Sequence, residues 1–543
     1  MRPALASDVL HDPAIVTSRG WLSVLERIAP LIALAAVIVA SARIVSTYEV
    51  LSHTTDEPGH LACGLHYLQG VVCPYEYAPL ARAAIAIGPY LAGARSFGTP
   101  DIPQEGLAIL AVRYTRYLAL ARLGVLPFFW LACGALYWWG RRYFGKASAA
   151  MSVLLFSPIP PVLAHSGVAT ADMAETGCLT AAFLAWLLWA EQPTWRCSVL
   201  CGVLTGLAVL AKFSTCGFLF AALGMYAGWY VLVEQPRLST LRARLAPLCV
   251  IVFAALATGW GGYQFSIRVV HGIPIPAPQF FAAVRYITDF NAQGQPGYLL
   301  GEVSDTGWWY YYPVALVFKT PIAFLLLALL GCGLLTRRSR WREAGFVSPL
   351  IFTAAILLVG SFSQINVGVR HVLPVYCGLA LLAGNGVVLL AGSKKHSTWG
   401  ILTAAALLGW LGWTGAAAHP DYLAYFNELA GGEPEKILVD SDLDWGQDLN
   451  RLARRLQVLG ASGVNFSTLM PADLLESVQG FPPVKPIDPV TPAPGWTAVS
   501  PTWWKLRQYE FGLSPLQEEG PFWMDHAKPS ERVGSMLLYH FPN

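Results

Sequence analysis

The sequence predicts a polytopic α-helical membrane protein of about eleven transmembrane helices, carrying a small C-terminal extracytoplasmic α/β domain. Three observations predict it. Only 13% of the 543 residues are charged while 55% are apolar, a surplus that soluble domains of ordinary size could not bury. The apolar residues gather into runs long enough to cross a bilayer. Basic residues recur on alternate connections between those runs, as the positive-inside rule requires.

In chain order the runs are Ile28–Ser46, Leu118–Trp139, Ala147–Ala164, Met173–Ala190, Ser198–Ala211 and Phe213–Val233. Ala246–Gly262, Pro313–Leu335, Phe346–Ser361, Val372–Ala391 and Thr398–Ala418 follow. Ser198–Ala211 is the short one, separated from its successor by Lys212 alone. Keeping it distinct puts Arg141, Arg142, Lys146, Arg196, Arg237, Arg242, Arg244 and the Arg337–Arg342 cluster on one side, with the N-terminus. Fusing the two would move the Arg337–Arg342 cluster outside. The first run lies behind Arg2, Arg19 and Arg27 with no small-residue cleavage site after it, so it is expected as a retained helix.

The outer side then receives every large polar region, 47–113, 263–312 and 419–543. The chain divides into a membrane domain, residues 1–418, and a C-terminal domain, residues 419–543. In the first region Pro58–Gln69 and Pro79–Ala94 read as short helices, each opening with proline. The second is rich in aromatics, Gly and Pro and ends in GWWYYYP. In the third, Ile437–Asp440 reads as a strand and Trp445–Leu459 as an amphipathic helix. Val464–Leu469 and Met536–Phe541 read as further strands, and Phe481–Gly495 as a loop. Of ten cysteines, most lie in apolar runs; Cys63 and Cys73 share one polar loop, and a bridge is open to them if that loop faces an oxidising compartment. The net charge of +3 offers no basic excess for nucleic acid.

Charged residues at membrane depth carry the chemistry. Asp56–Glu57, in TTDEPGH, stands just beyond the first span, where a carboxylate can take a proton from a hydroxyl or simply open a helix. Asp172, in ATADMAE, and Glu76, in YEYAP, fall on the same side. So do Lys212, Arg370, His371, Lys319 and Arg122. Each cation alone could snorkel, but together, against the positive-inside bias, they ask for an anion such as a phosphate at the outer boundary. The DSDLDWGQD segment reads as a solvated helix start capped by Ser441 or Asp444, with a Ca²⁺ loop as the rarer option.

These residues resemble the GT-C superfamily of membrane glycosyltransferases, in particular the protein O-mannosyltransferase-like family 39. That family's outer-loop acidic pair is matched by Asp56–Glu57, and its second acidic site by Asp172. Its Glu-Lys-Pro-Pro loop is similar to Glu76-Tyr77-Ala78-Pro79, with Tyr replacing Lys. Its Thr-Lys-Gly-Pro turn is similar to Ala211-Lys212-Phe213-Ser214, and its Arg-Tyr-Leu-Leu-Pro segment to Arg370-His371-Val372-Leu373-Pro374, with His replacing Tyr. NVGVRHVLPVY, YLAYFNELAGG and LVDSDLDWGQDLNRLARRL resemble a bacterial subgroup of phospholipid-carrier-dependent glycosyltransferases.

The resemblance implies an inverting transfer from a polyprenyl-phosphate sugar donor to an acceptor hydroxyl on a protein, lipid or glycan, at the outer face of a bacterial cytoplasmic membrane. It implies Asp56 as base, Glu57 supporting its loop, and Asp172 orienting sugar or acceptor. Lys212 and Arg370, with Lys319 and Arg122, are expected at the carrier phosphate. Some relatives use a divalent metal, for which Glu76 and His271 are the expected ligands. A transporter or flippase is the competing expectation; against it stand charges gathered on one face and no internal repeat. A non-catalytic scaffold would leave that convergence of charge unexplained.

Overall fold

The computed structural model describes residues 20–71, 73, 78–270, 273–337, 340–392, 397–467, 475–476, 479–512 and 522–542. Among these described residues, eight helices are long and apolar enough to cross a membrane: Ser23–Val45, Tyr114–Phe144, Asp172–Glu191, Ser214–Glu234, Leu238–Gly262, Ala344–Ser361, Val375–Gly392 and Thr398–Ala417. Two further apolar stretches are bent pairs. Lys146–Phe156 meets Pro160–Ser166 at 73°, and Tyr311–Lys319 meets Ile322–Gly333 at 117°. Pro158, Pro160 and Pro161 sit at the first break and Pro321 at the second, where a missing N–H and a fixed φ end the preceding helix.

Length and composition therefore support eight to ten spans among the described residues, where the sequence predicts about eleven. The difference is Trp195–Ala211, an apolar helix of 17 residues that falls short of the bilayer's usual requirement. The protein is an integral membrane protein.

The first outer region holds the two expected helices, at Glu57–Leu68 and Pro79–Leu91, and one more at Ile102–Val112. Asp101 caps that third helix by accepting from the Gln104 amide. Gly106 lets it lie on the start of the first: a Cβ there would stand 2.0 Å from the Pro58 carbonyl oxygen. Cys63 and Cys73 are disulfide-bonded, and a buried His66–Glu105 contact of 2.8 Å ties the first and third helices together.

The second outer region forms a hairpin, Ile267–Val270 with Ile273–Pro276, then the helix Pro278–Gln293, then a hairpin of Gly297–Leu299 with Glu302–Ser304.

The C-terminal region contains a five-stranded mixed sheet in the order Val484–Lys485, Val464–Ser467, Gly495–Val499, Met536–Phe541, Glu531–Val533. The strand Val464–Ser467 is parallel to both its neighbours, and the other pairings are antiparallel. The helix Leu449–Val458 buries Leu449, Leu452 and Leu456 against Val464, Phe466 and Leu538.

Three expectations change here. Within Phe481–Gly495, expected as a loop, Val484–Lys485 is the edge strand of the sheet and Gly495 opens the next strand. Ile437–Asp440 is not a strand; 3₁₀ turns at Pro434–Lys436 and Asp440–Asp442 flank it, and the Ile437 carbonyl accepts from Leu300 instead of a sheet partner. The amphipathic helix begins at Leu449, four residues after Trp445. Tyr422, Leu423, Ile437, Leu438 and Trp445 pack into the core of the helical body, so this stretch is built into it.

Candidate functional site

A cavity of about 500 Å³ opens where the ends of several helices meet. Asp56, His60 and Arg82 from the first outer region line it, with Asp172, Lys212, Arg370 and His371 from later connections. Tyr286, Ile287 and Phe290 of the helix Pro278–Gln293 cover it with an apolar face. The volume suits a sugar-sized ligand.

Two ion pairs stand in its wall. Arg370 Nη1 donates to Asp56 Oδ2 at 2.7 Å, and Lys212 Nζ donates to Asp172 Oδ1 at 2.7 Å. Lys212 also stands 3.2 Å from Glu175 Oε2, and Thr170 Oγ1 donates to Asp172 Oδ2 at 2.9 Å. Burial works against the charge on Lys212, but Asp172 and Glu175 outweigh it and raise its pKa.

Asp56 occupies the N-cap position of Glu57–Leu68, yet its side chain caps no amide. The carboxylate is turned instead to Arg370, with 37% of the side chain exposed. The capping role open to it in sequence is therefore not the one it takes. His60, one helical turn on, lines the same wall; burial drives its imidazole down to about 3, with Arg82 adding to the effect. His60 Nδ1 is buried and has no hydrogen-bond partner among the described residues.

Glu57 has a different place. Its Oε1 accepts from Arg122 Nε at 2.8 Å and from the Ala169 amide at 2.7 Å. Its Oε2 accepts from Arg122 Nη2 at 2.9 Å and from the Thr54 amide at 2.8 Å. Burial pushes the Glu57 carboxyl up, but the Arg122 guanidinium and these hydrogen bonds prevail and hold it below the usual carboxylate range. Arg122 also donates to the carbonyls of Tyr48, Leu51 and Ser52. All five of its donors are thus used inside the protein.

Two of the four cations expected at a phosphate are therefore occupied elsewhere. Arg122 is fully buried in that clamp. Lys319, 2% exposed, donates to the carbonyls of Leu423 and Asp442 and lies over the Phe426 ring at 4.3 Å. Donors spent inside the fold separate them from Lys212 and Arg370.

Glu175, His60 and Arg82 enter the site without having been singled out in sequence. The first two carried a readable signal, being one turn from Asp172 and Asp56 respectively. Glu76 and His271 lie outside the described residues. Among the described residues, no group of three or more His, Cys, Asp or Glu is placed to hold a metal ion. The acidic segment 440–448 is neither solvated nor a capped helix start: Asp442, Asp444 and Asp448 are at most 3% exposed.

A family model for dolichyl-phosphate-mannose-protein mannosyltransferases matches residues 118–260, the stretch that contains Asp172 and Lys212. An undecaprenyl phosphate-alpha-4-amino-4-deoxy-L-arabinose arabinosyl transferase 1 of Pseudomonas fluorescens is 26% identical over 367 residues, 65% of this chain and 63% of that protein. A transferase of the same description from Pectobacterium carotovorum is 27% identical over 337 residues, 59% of this chain and 55% of its own. The matches thus span less than two thirds of either relative. The crystal structure of ArnT from Cupriavidus metallidurans bound to undecaprenyl phosphate aligns with a TM-score of 0.51 at 15% identity, covering 93% of this chain and 97% of that one. The fold is shared over nearly the whole length of both.

Proposed function

We propose that this chain is a glycosyltransferase of the GT-C superfamily that moves a sugar from a polyprenyl-phosphate carrier to an acceptor hydroxyl with inversion. The observation that carries the reading is the pair of carboxylate–cation couples in one covered cavity at the ends of apolar helices, which we place at the bilayer's edge. An isoprenoid tail partitions into the membrane and leaves its phosphate at that depth. Lys212 and Arg370 supply its countercharge, and Arg370 Nε, which has no hydrogen-bond partner among the described residues, is a donor still to be used.

Asp56 takes the acceptor's proton as the hydroxyl oxygen attacks the anomeric carbon from the face opposite the phosphate. The bond from that carbon to the phosphate oxygen breaks, and its electron pair leaves with the phosphate. Phosphate departs readily, so one base suffices, unlike the carboxyl pair of glycoside hydrolysis. The cations stabilise the charge that grows on the leaving group. Asp172, held by Lys212 and Thr170, orients the sugar or the acceptor. Glu57 and Arg122 hold the loop that presents Asp56. The acceptor's chemistry beyond its hydroxyl is left open.

We place the cavity on the extracytoplasmic side of a bacterial cytoplasmic membrane, with the N-terminus inside and, the 17-residue helix Trp195–Ala211 counted as an eleventh crossing, the C-terminus outside. The alternation of basic connections supports this, and so does the Cys63–Cys73 bond in the first outer region. A C-terminal alkaline phosphatase fusion should be active and a fluorescent-protein fusion exported by the same route dark; the reverse pattern would overturn the orientation. Turnover is the test of the activity. Purified protein in detergent should release undecaprenyl phosphate from an undecaprenyl-phosphate sugar when the acceptor is present, with no gradient. A requirement for a sealed, energised membrane would favour the transporter instead.

A further inference from the structure

The acidic segment Asp440–Asp448 is a strap joining the C-terminal region to two walls of the cavity. On one side the amides of Ser52 and Thr55, next to Asp56, donate to the carbonyls of Gln447 and Trp445 at 2.9 and 3.0 Å. Ser52 Oγ donates to the Gly446 carbonyl at 2.9 Å. On the other side both Asp442 carboxylate oxygens accept from the Val369 amide, at 3.1 and 3.2 Å, one residue before Arg370. Ser441 Oγ donates to the Val367 carbonyl.

The approach is close enough to require glycine at 368, whose φ is +138° and whose Cβ would stand 2.3 Å from Ser441 Oγ. Lys319 holds the strap from below through the Asp442 carbonyl. Thr502 holds it from the sheet side, accepting from the Asp440 amide and donating to the Asp444 carbonyl.

At the centre of the strap is Trp445, 6% exposed, with the Arg370 guanidinium carbon 4.1 Å from its ring centroid. Arg370 thus has one face on an aromatic ring and one edge on Asp56, a geometry that fixes the plane of its fork. We propose that Trp445 is a positioning residue for Arg370: carried on a strap from the C-terminal region, it holds the guanidinium in the orientation that receives the carrier phosphate. This rests on the reading of Arg370 as a phosphate ligand. It makes the C-terminal region a working component of the donor site.

The test uses the full-length protein in detergent with undecaprenyl phosphate as the probe. Trp445→Leu should weaken equilibrium binding about tenfold and raise the donor KM alike, leaving kcat within about threefold; losing a buried ring lowers the melting temperature, so binding is read well below it. Trp445→Phe, which keeps an aromatic face, should recover most of the loss. Trp445→Met takes the place of Trp445→Leu should the latter not fold. In an Arg370→Ala background the Trp445 substitution should cost nothing further. Wild-type affinity in folded Trp445→Leu, no recovery in Trp445→Phe, or a full additive loss in the Arg370→Ala background would each overturn the positioning role. Wild-type affinity in Arg370→Ala alone would instead sink the phosphate reading beneath it.

Discussion

Asp56 and Glu57 share a peptide bond and differ in almost everything else. Asp56 leaves 37% of its side chain exposed and meets Arg370 through one hydrogen bond. Glu57 is 1% exposed and meets Arg122 through two, with two backbone amides on its remaining lone pairs. A saturated buried pair has nothing left to offer a ligand, and removing either partner strands a charge. A half-exposed, half-satisfied pair can exchange partners when an anion arrives. Adjacent carboxylates thus divide into one that builds the loop and one that the loop presents.

The largest effect should come from the presented member. Asp56→Asn keeps the shape and removes the basic oxygen. Turnover should fall by about 10²–10⁴-fold while melting and undecaprenyl-phosphate binding persist. A folded variant keeping more than about a tenth of wild-type turnover would transfer the role to Asp172.

Glu57→Gln should show the reverse profile. With the Arg122 charge left unpaired in the interior, stability should drop by about 3 kcal/mol, read as a lower melting temperature. An unchanged melt would erase the contrast between the two neighbours.

Lys212→Ala tests the second cavity cation. Carrier affinity should weaken by about 1.5 kcal/mol or more, as for a lost charge-assisted hydrogen bond. Arg122 makes no such prediction, because its donors are spent.

The smallest effect is in pH, where the loop and the strap should have opposite signs. Glu57 has a folded pKa below its unfolded one, so its contribution is whole above the ordinary value of 4.5 and is lost as pH falls below it. Burial lifts Asp440 from the ordinary 3.8 to about 7, against the pull of Arg370. Between those values the unfolded chain releases a proton that the folded chain keeps, so stability falls as pH rises through that window. Asp440→Asn keeps the left-handed φ of 59°, which Asn tolerates, and should flatten the slope of melting temperature from about pH 4 to 7. An unaltered slope would assign the strap's pH response to Asp442, Asp444 or Asp448.

How much of this was readable before the structure follows from what a sequence records. Long apolar runs announce membrane helices because bilayer thickness sets their length. The breaks at Ser157–Pro161 and Thr320–Pro321 were visible as prolines, but a run's composition does not reveal an angle of 73° or 117°. Asp56, Asp172, Lys212 and Arg370 were legible as charges stranded at one membrane face, and they line one cavity.

Arg122 and Lys319 had the same signature. What separates them is how many of their donors the fold consumes, a property of residues 48–57 and 423–442 that no local pattern carries. The segment 437–448 misled for a related reason. Its carboxylates suggested solvent and its apolar start suggested a strand, while tertiary contacts to Leu300, Val369 and Ser52 decide its shape.

The Cys63–Cys73 bond bears on how the protein is made. Cys63 lines the cavity, and the bond spans a sequence separation of 10 to Cys73, just ahead of the helix that brings Arg82 to the same wall. Cytosolic thiols are kept reduced, so in the orientation proposed above the bond closes only after the first outer loop has been exported. That orientation would order biogenesis: a nascent or mis-inserted chain would have an unfastened cavity wall, fastened in the compartment where we place the acceptor.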